Sequence, residues 1–339
     1  MYKLNRRGFL AAAGLGTIAC PFIGVRSASA AQYSLKYAGD VSADHPLTRN
    51  IAAAAEKIRA RTDGRVEILI FPNSQLGSEM DMLTQLRAGA IDLYTISGLV
   101  LSSLVPVAAI NGIGFAFPDY ADVWKAMDGA LGGHVRSAID KFDVITLDRI
   151  WNGGYRQITS SAKPIRTPAD LEGFKIRVPV SPLWTSMFKA LGAAPTSINW
   201  GEVYTSLQTK VVDGQETPLV SIESAKLYEV QKYCSLSNHM WDGFWLLANK
   251  RTLAGLPEDI RNILVQVLNE QALEQRAEVE RLNLQLKDTL AGRGLIFNET
   301  QPEPFQQTLR VKGFYDEWKR RFGEEAWTLL ETSTGRKLS

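Results

Sequence analysis

Between Ser34 and Ile96 the apolar residues change period again and again, and this alternation restricts the possible folds more than any other feature of the chain. Ser34-Leu35-Lys36-Tyr37-Ala38-Gly39 alternates with a period of two, as a strand does. Leu47, Ile51, Ala54, Ala55 and Ile58 then hold helical spacing up to the Asp63-Gly64 stop, and Val66 to Phe71 (VEILIF) is β-branched and bounded by Pro72-Asn73. A second helix over Glu79 to Ala88 ends at Gly89, and Ile91 to Ile96 reads as a third strand. Strands alternating with helices of this length predict a parallel sheet with right-handed crossovers.

The rhythm resumes after a Pro- and Gly-punctuated stretch. Val144-Ile145-Thr146-Leu147, Tyr155 to Thr159 and Phe174 to Val178 read as strands, and Thr167-Pro168 has the form of a helix cap followed by a first turn. Trp200-Gly201-Glu202 opens another helix. From Leu256 to about Leu290 the apolar residues Ile260, Ile263, Leu264, Val267, Leu268 and Leu273 keep helical spacing. At 1.5 Å per residue that helix is about 50 Å long, enough to cross more than one lobe.

The first thirty residues stand apart. Lys3, Arg6 and Arg7 make a positive head, Arg6-Arg7-Gly8-Phe9-Leu10 has the twin-arginine form, and Ala28-Ser29-Ala30 offers a small-x-small cleavage pattern after a short apolar run. Residues 1–30 are therefore expected to be an export signal that directs the chain to the periplasm. Four of the 38 basic residues and none of the 36 acidic ones lie in that segment, so the remainder carries 34 and 36, a net charge of −2. Such a balance gives no electrostatic footprint for nucleic acid, and no later apolar run predicts membrane insertion. Cys234 is the one cysteine after Ala30, so no internal disulfide is expected. About 309 residues is more than one core usually organises, which predicts two lobes.

Catalytic signatures are sparse. His45, His134 and His239 each lack a second metal-type ligand at helical spacing, no G-x-S-x-G is present, and Cys234 has no evident base. No metal, cofactor or enzymatic activity is expected. The arginines say more: Arg156 and Arg177 each sit in a segment that otherwise reads as buried strand. A guanidinium there needs an anion, either an internal Asp or Glu or the carboxylate of a ligand.

The run Tyr155-Arg156-Gln157-Ile158-Thr159-Ser160, then Ile165-x-Thr167-Pro168-x-Asp170-Leu171-x-Gly173-Phe174-Lys175-Ile176-Arg177-Val178-Pro179, resembles the solute-binding subunits of tripartite ATP-independent periplasmic (TRAP) transporters. Gly192-Ala193-x-Pro195, Glu202-Val203-Tyr204 and Val212-Asp213-Gly214-Gln215-Glu216-x-Pro218 extend the likeness, as do Gln75-Leu76-Gly77 and Gly89-Ala90-Ile91-Asp92 upstream. The resemblance implies an α/β, two-lobed periplasmic-binding-protein fold with a long lobe-crossing helix, divided here into 31–154 with 243–282 and 155–242 with 283–339. It implies that Arg177 clamps a ligand carboxylate, that Arg156 adds a second contact, and that Asp40, Glu79, Ser97 and Trp200 line the cleft. Thr217 stands where asparagine is common, and Ser97 where sialic-acid-binding members carry glutamate. Trp151, Trp184, Trp200, Trp241 and Trp245, with Phe244, fall in or beside the family's cleft-forming segments; each is either core or pocket wall, and together they imply a partly apolar pocket with Trp241 in its wall. The expected ligand is a small organic carboxylate, with aromatic, 2-oxo and 2-hydroxy acids as candidates, delivered to the small and large membrane permease subunits. Presentation of the ligand to a sensor is the alternative.

Overall fold

In the computed structural model, which describes residues 31–339, the chain forms one mixed sheet covered by helices. The export-signal expectation falls on residues 1–30 and lies outside the described residues. The strands are β1 (Tyr33–Ala38), β2 (Val66–Phe71), β3 (Leu93–Ser97), β4 (Val144–Thr146), β5 (Trp151–Ser160) and β6 (Lys175–Val178), followed by β7 (Ala194–Ser197), β8 (Gly214–Pro218), β9 (Tyr233–Leu236), β10 (Trp241–Asn249) and β11 (Ile296–Glu299).

The expected parallel unit is present. β1 lies between β2 and β3 and runs parallel to both, linked by the Pro46–Arg61 and Glu79–Ala88 helices. Ser78 caps the second helix and exchanges hydrogen bonds with Asp81, and Gly89 closes it with a φ of 84°, where a side chain would be strained. A second parallel set, β8-β6-β7, forms the other half.

Two antiparallel strands join these halves. β10 pairs with β3 on one side and with β5 on the other, and β5 passes from β10 at Trp151–Tyr155 to β8 at Arg156–Ser160. Their register slips between Asp242 and Gly243, and Gly154 opposite has a φ of 113°. An irregularity of this kind bends a strand pair, so the sheet turns where the halves meet. The helix Glu258–Gly292 packs on the Pro46–Arg61 helix, on β5 and on the Leu219–Ser224 helix, and so touches both halves. Among the described residues no helix is long and apolar enough to cross a membrane.

Candidate functional site

β1, β3, β6 and β8 point their carboxyl ends to one place, the region of an open α/β sheet where ligands bind. There the halves enclose a cavity with about 440 Å³ between its walls, of which about 40 Å³ is open to the centre of a water molecule. A single water needs about 10–15 Å³ of the latter, so the space suits a small molecule. Asp40 reaches it from the end of β1, Glu79 from the first turn of its helix, and Ser97 from the end of β3. Arg177, Thr217, Trp184 and Trp200 line it from the other half, and Arg156 and Asp242 from the joining strands.

The two arginines have different fates. Arg156 is buried in an ion cluster: Nε and Nη2 donate to the Glu216 carboxylate, Nη2 also to the Glu216 carbonyl at 2.8 Å, and Nη1 to Asp242 at 3.0 Å. Glu216 also meets His239 Nε2 at 3.1 Å. Burial alone would raise the Glu216 carboxyl, but Arg156 and His239 together hold it below the ordinary value. The second ligand contact implied for Arg156 is thus reduced to its remaining Nη1 hydrogen; the internal salt bridge takes the rest. Arg177 is freer. Its Nε donates to the Ile198 carbonyl at 2.9 Å, while Nη1 is buried with no protein partner. Burial lowers the Arg177 guanidinium to about 10, so it stays charged at neutral pH.

Across the cavity from Arg177 stand acceptors. Asp40 Oδ1 and Glu79 Oε2 are buried without partners, while Glu79 Oε1 accepts the Trp200 backbone N–H at 3.2 Å. Burial, then the neighbouring Glu79 and more weakly Asp242, push the Asp40 carboxyl up to about 7. Asp242 rises to about 6 through burial, with Arg156 pulling the other way. Trp184 Nε1 is a further buried donor with no partner.

Ser97 lines the cavity with its hydroxyl already committed, donating to both Asp242 oxygens at 2.8 and 3.0 Å and accepting from the Leu99 N–H. Thr217 presents its side chain from β8. Trp241 is a correction. Side chains alternate along β10, and Trp241 faces away from the cavity, edge-on to Phe117 and Trp124 in the core, with Nε1 donating to Asn152 at 3.0 Å. Trp151 and Trp245 are core residues too, whereas Trp184, Trp200 and Phe244 line the cavity. Sequence reasoning missed Glu216, Asp242, Ser221 and His45 as site-builders. For Asp242 the available signal was an acid within an apolar strand segment, because a buried arginine requires such a partner; Glu216, in the polar run Gly214–Pro218, carried no such signal.

Two half-sheets around a cavity with a buried guanidinium whose Nη1 has no protein partner define a two-lobed solute-binding protein. The sequence profile of the bacterial extracellular solute-binding protein family 7 (DctP) matches residues 37–319, and the chain belongs to that family, the solute-binding subunits of TRAP transporters. It is 33% identical over 252 residues to the 2,3-diketo-L-gulonate-binding periplasmic protein YiaO of Escherichia coli, covering 74% of this chain and 76% of that protein. It is 35% identical over 280 residues to the uncharacterized protein y4mM of Sinorhizobium fredii; the match takes in 83% of this chain but spans only about half of that relative, 52%. The crystal structure of a TRAP periplasmic solute-binding protein from Roseobacter denitrificans with bound L-galactonate aligns with a TM-score of 0.83 at 29% identity, over 90% of this chain and 99% of that one.

Proposed function

We propose that this protein captures a small hydroxylated monocarboxylic acid in the periplasm and hands it to the membrane subunits of a TRAP transporter. The observation that carries this reading is the polarity of the cavity: a guanidinium with an unpartnered Nη1, that of Arg177, stands opposite two carboxyl groups with unpartnered oxygens, Asp40 and Glu79. A ligand satisfying both sides has a carboxylate at one end and hydrogen-bond donors at the other. Hydroxyl groups meet that need. A second carboxylate does not, because it would sit against Asp40 and Glu79 in a buried space.

Aromatic acids fit less well. The Trp184 indole lies under the Arg156 guanidinium at 4.6 Å and the Trp200 indole under that of Arg177 at 5.6 Å, so these aromatic faces already serve cations. Relatives divide: one is named for 2,3-diketo-L-gulonate and another holds L-galactonate, whereas others are named for C4-dicarboxylates and one holds succinate, so the cavity's own polarity carries the choice. We read the protein as non-catalytic. Ser237, His239 and Glu216 align at 2.7 and 3.1 Å as a nucleophile, base and carboxylate would, but all three are buried outside the cavity, and Arg156 occupies the carboxylate. No observation favours the sensor alternative.

A thermal-shift panel of L-galactonate, D-erythronate, lactate, succinate and benzoate tests the reading. A ligand at 100 times its dissociation constant adds about 2.7 kcal/mol. The hydroxy acids should shift the melting point most; a larger shift with succinate or benzoate would overturn the assignment.

A further inference from the structure

His45 and Ser221 meet across the cleft. His45 precedes the Pro46–Arg61 helix beside β1, whereas Ser221 lies on the short Leu219–Ser224 helix that follows β8, 176 residues away in sequence. The imidazole Nε2 stands 3.3 Å from Ser221 Oγ. Its other nitrogen, Nδ1, accepts the Leu47 backbone N–H at 3.1 Å as the helix cap and therefore carries no proton. A neutral ring in that position has its hydrogen on Nε2, and so donates to the serine. Burial, with Arg49 nearby, lowers the His45 pKa to about 3, which keeps the ring neutral at ordinary pH.

The consequence falls on Ser221, which lines the cavity. A hydroxyl whose oxygen receives a hydrogen from His45 directs its own hydrogen elsewhere, and the open direction is the cavity. We propose that His45 and Ser221 form a closure latch in which His45 turns the Ser221 hydroxyl into a hydrogen-bond donor to the ligand, so that the contact exists only when the halves are together. The proposal rests on the cavity being the ligand site. Ser221 is then a specificity residue, favouring an acceptor atom such as a carboxylate or carbonyl oxygen beside it. His45 is a positioning residue acting through Ser221.

The test separates capping from latching. Asparagine is a favoured helix cap but too short to reach Ser221, so His45→Asn keeps the cap and cuts the latch. Stopped-flow dissociation of L-galactonate and of D-erythronate should accelerate about two- to tenfold in His45→Asn, the effect of one lost neutral hydrogen bond, while the ligand-free melting point stays near that of wild type. Ser221→Ala should dissociate at least as fast, and adding His45→Asn to it should change nothing further. Independent, multiplying effects of the two substitutions, or unchanged dissociation in His45→Asn, would overturn the latch. Imidazole ¹⁵N resonances supply a second arm: with or without bound acid His45 should show Nε2 protonated and Nδ1 bare, and in the acid-bound, closed protein the Nε2 signal should move in Ser221→Ala. A proton on Nδ1 would refute the proposal even if wild type bound neither acid, and so would an Nε2 signal indifferent to Ser221→Ala in the closed protein. Failure of both acids to bind wild type would count against the sugar-acid reading alone.

Discussion

Arg177→Lys isolates the part of the site that geometry makes most specific. The substitution keeps a positive charge on an unbranched stem but removes the planar fork. The wild-type group does two things at once: Nε is anchored on the Ile198 carbonyl at 2.9 Å, and Nη1 is held, buried and unpartnered, at the cavity wall. A lysine ammonium cannot serve both directions with parallel N–H bonds. The lost contribution is about one charge-assisted hydrogen bond, roughly 1.5–3 kcal/mol. Since 1.4 kcal/mol is a factor of ten, the dissociation constant should rise by about ten- to a hundredfold. Release of the Ile198 carbonyl adds a fold-stability loss of about 1 kcal/mol, equivalent to about 2–4 °C in the unfolding midpoint of a domain this large. Isothermal titration with the best acid of the panel gives the first quantity, and calorimetry of the ligand-free protein the second. An affinity within twofold of wild type would refute the assignment of Arg177 as the carboxylate clamp. A variant that fails to fold would mean that its charge is chiefly structural.

Three further outcomes follow from the same geometry. Asp40 binds its proton more tightly folded than unfolded, about 7 against 3.8, so its destabilising effect is absent below the unfolded value and complete above the folded one. The unfolding midpoint of Asp40→Asn should therefore gain steadily on wild type as pH rises from about 4 to about 7, and parallel pH profiles would contradict this. Trp200→Ala removes from the cavity wall the face that packs under Arg177, so L-galactonate and benzoate should lose affinity by similar factors in calorimetric titrations; a loss confined to benzoate would restore the aromatic pocket. Cys234 is buried, which pushes its thiol up, so in protein lacking residues 1–30 a thiol reagent should label it only after denaturation.

The legible parts of the sequence were those governed by local periodicity. VEILIF is β2 residue for residue, the Glu79–Ala88 helix has its expected ends, and the long helix runs Glu258–Gly292. β10 was not legible, because all nine of its residues are buried and a strand covered on both faces shows no alternation. Its tryptophans then read as a cluster beside the cleft, although only the neighbouring Asp242 and Phe244 reach the cavity. The need of Arg156 and Arg177 for anions was visible, but the division between them was not. That division depends on Glu216 and Asp242, which meet Arg156 across 60 and 86 residues of intervening chain. The role of His45 was hidden for the same reason: a histidine before Pro46 carries no sign of a partner on the far half.

The central position of β10 has a consequence for how the chain is born. β3, β4 and β5, which all pair with it, leave the ribosome well before it, and Ser97 waits 145 residues for its partner Asp242. Until then each presents an open strand edge, the kind of surface that pairs with whatever strand is nearest. Contacts this distant in sequence also close slowly. A growing chain with this topology is exposed to mispairing until residue 249 emerges, so shielding the nascent segment 93–160 should raise its yield.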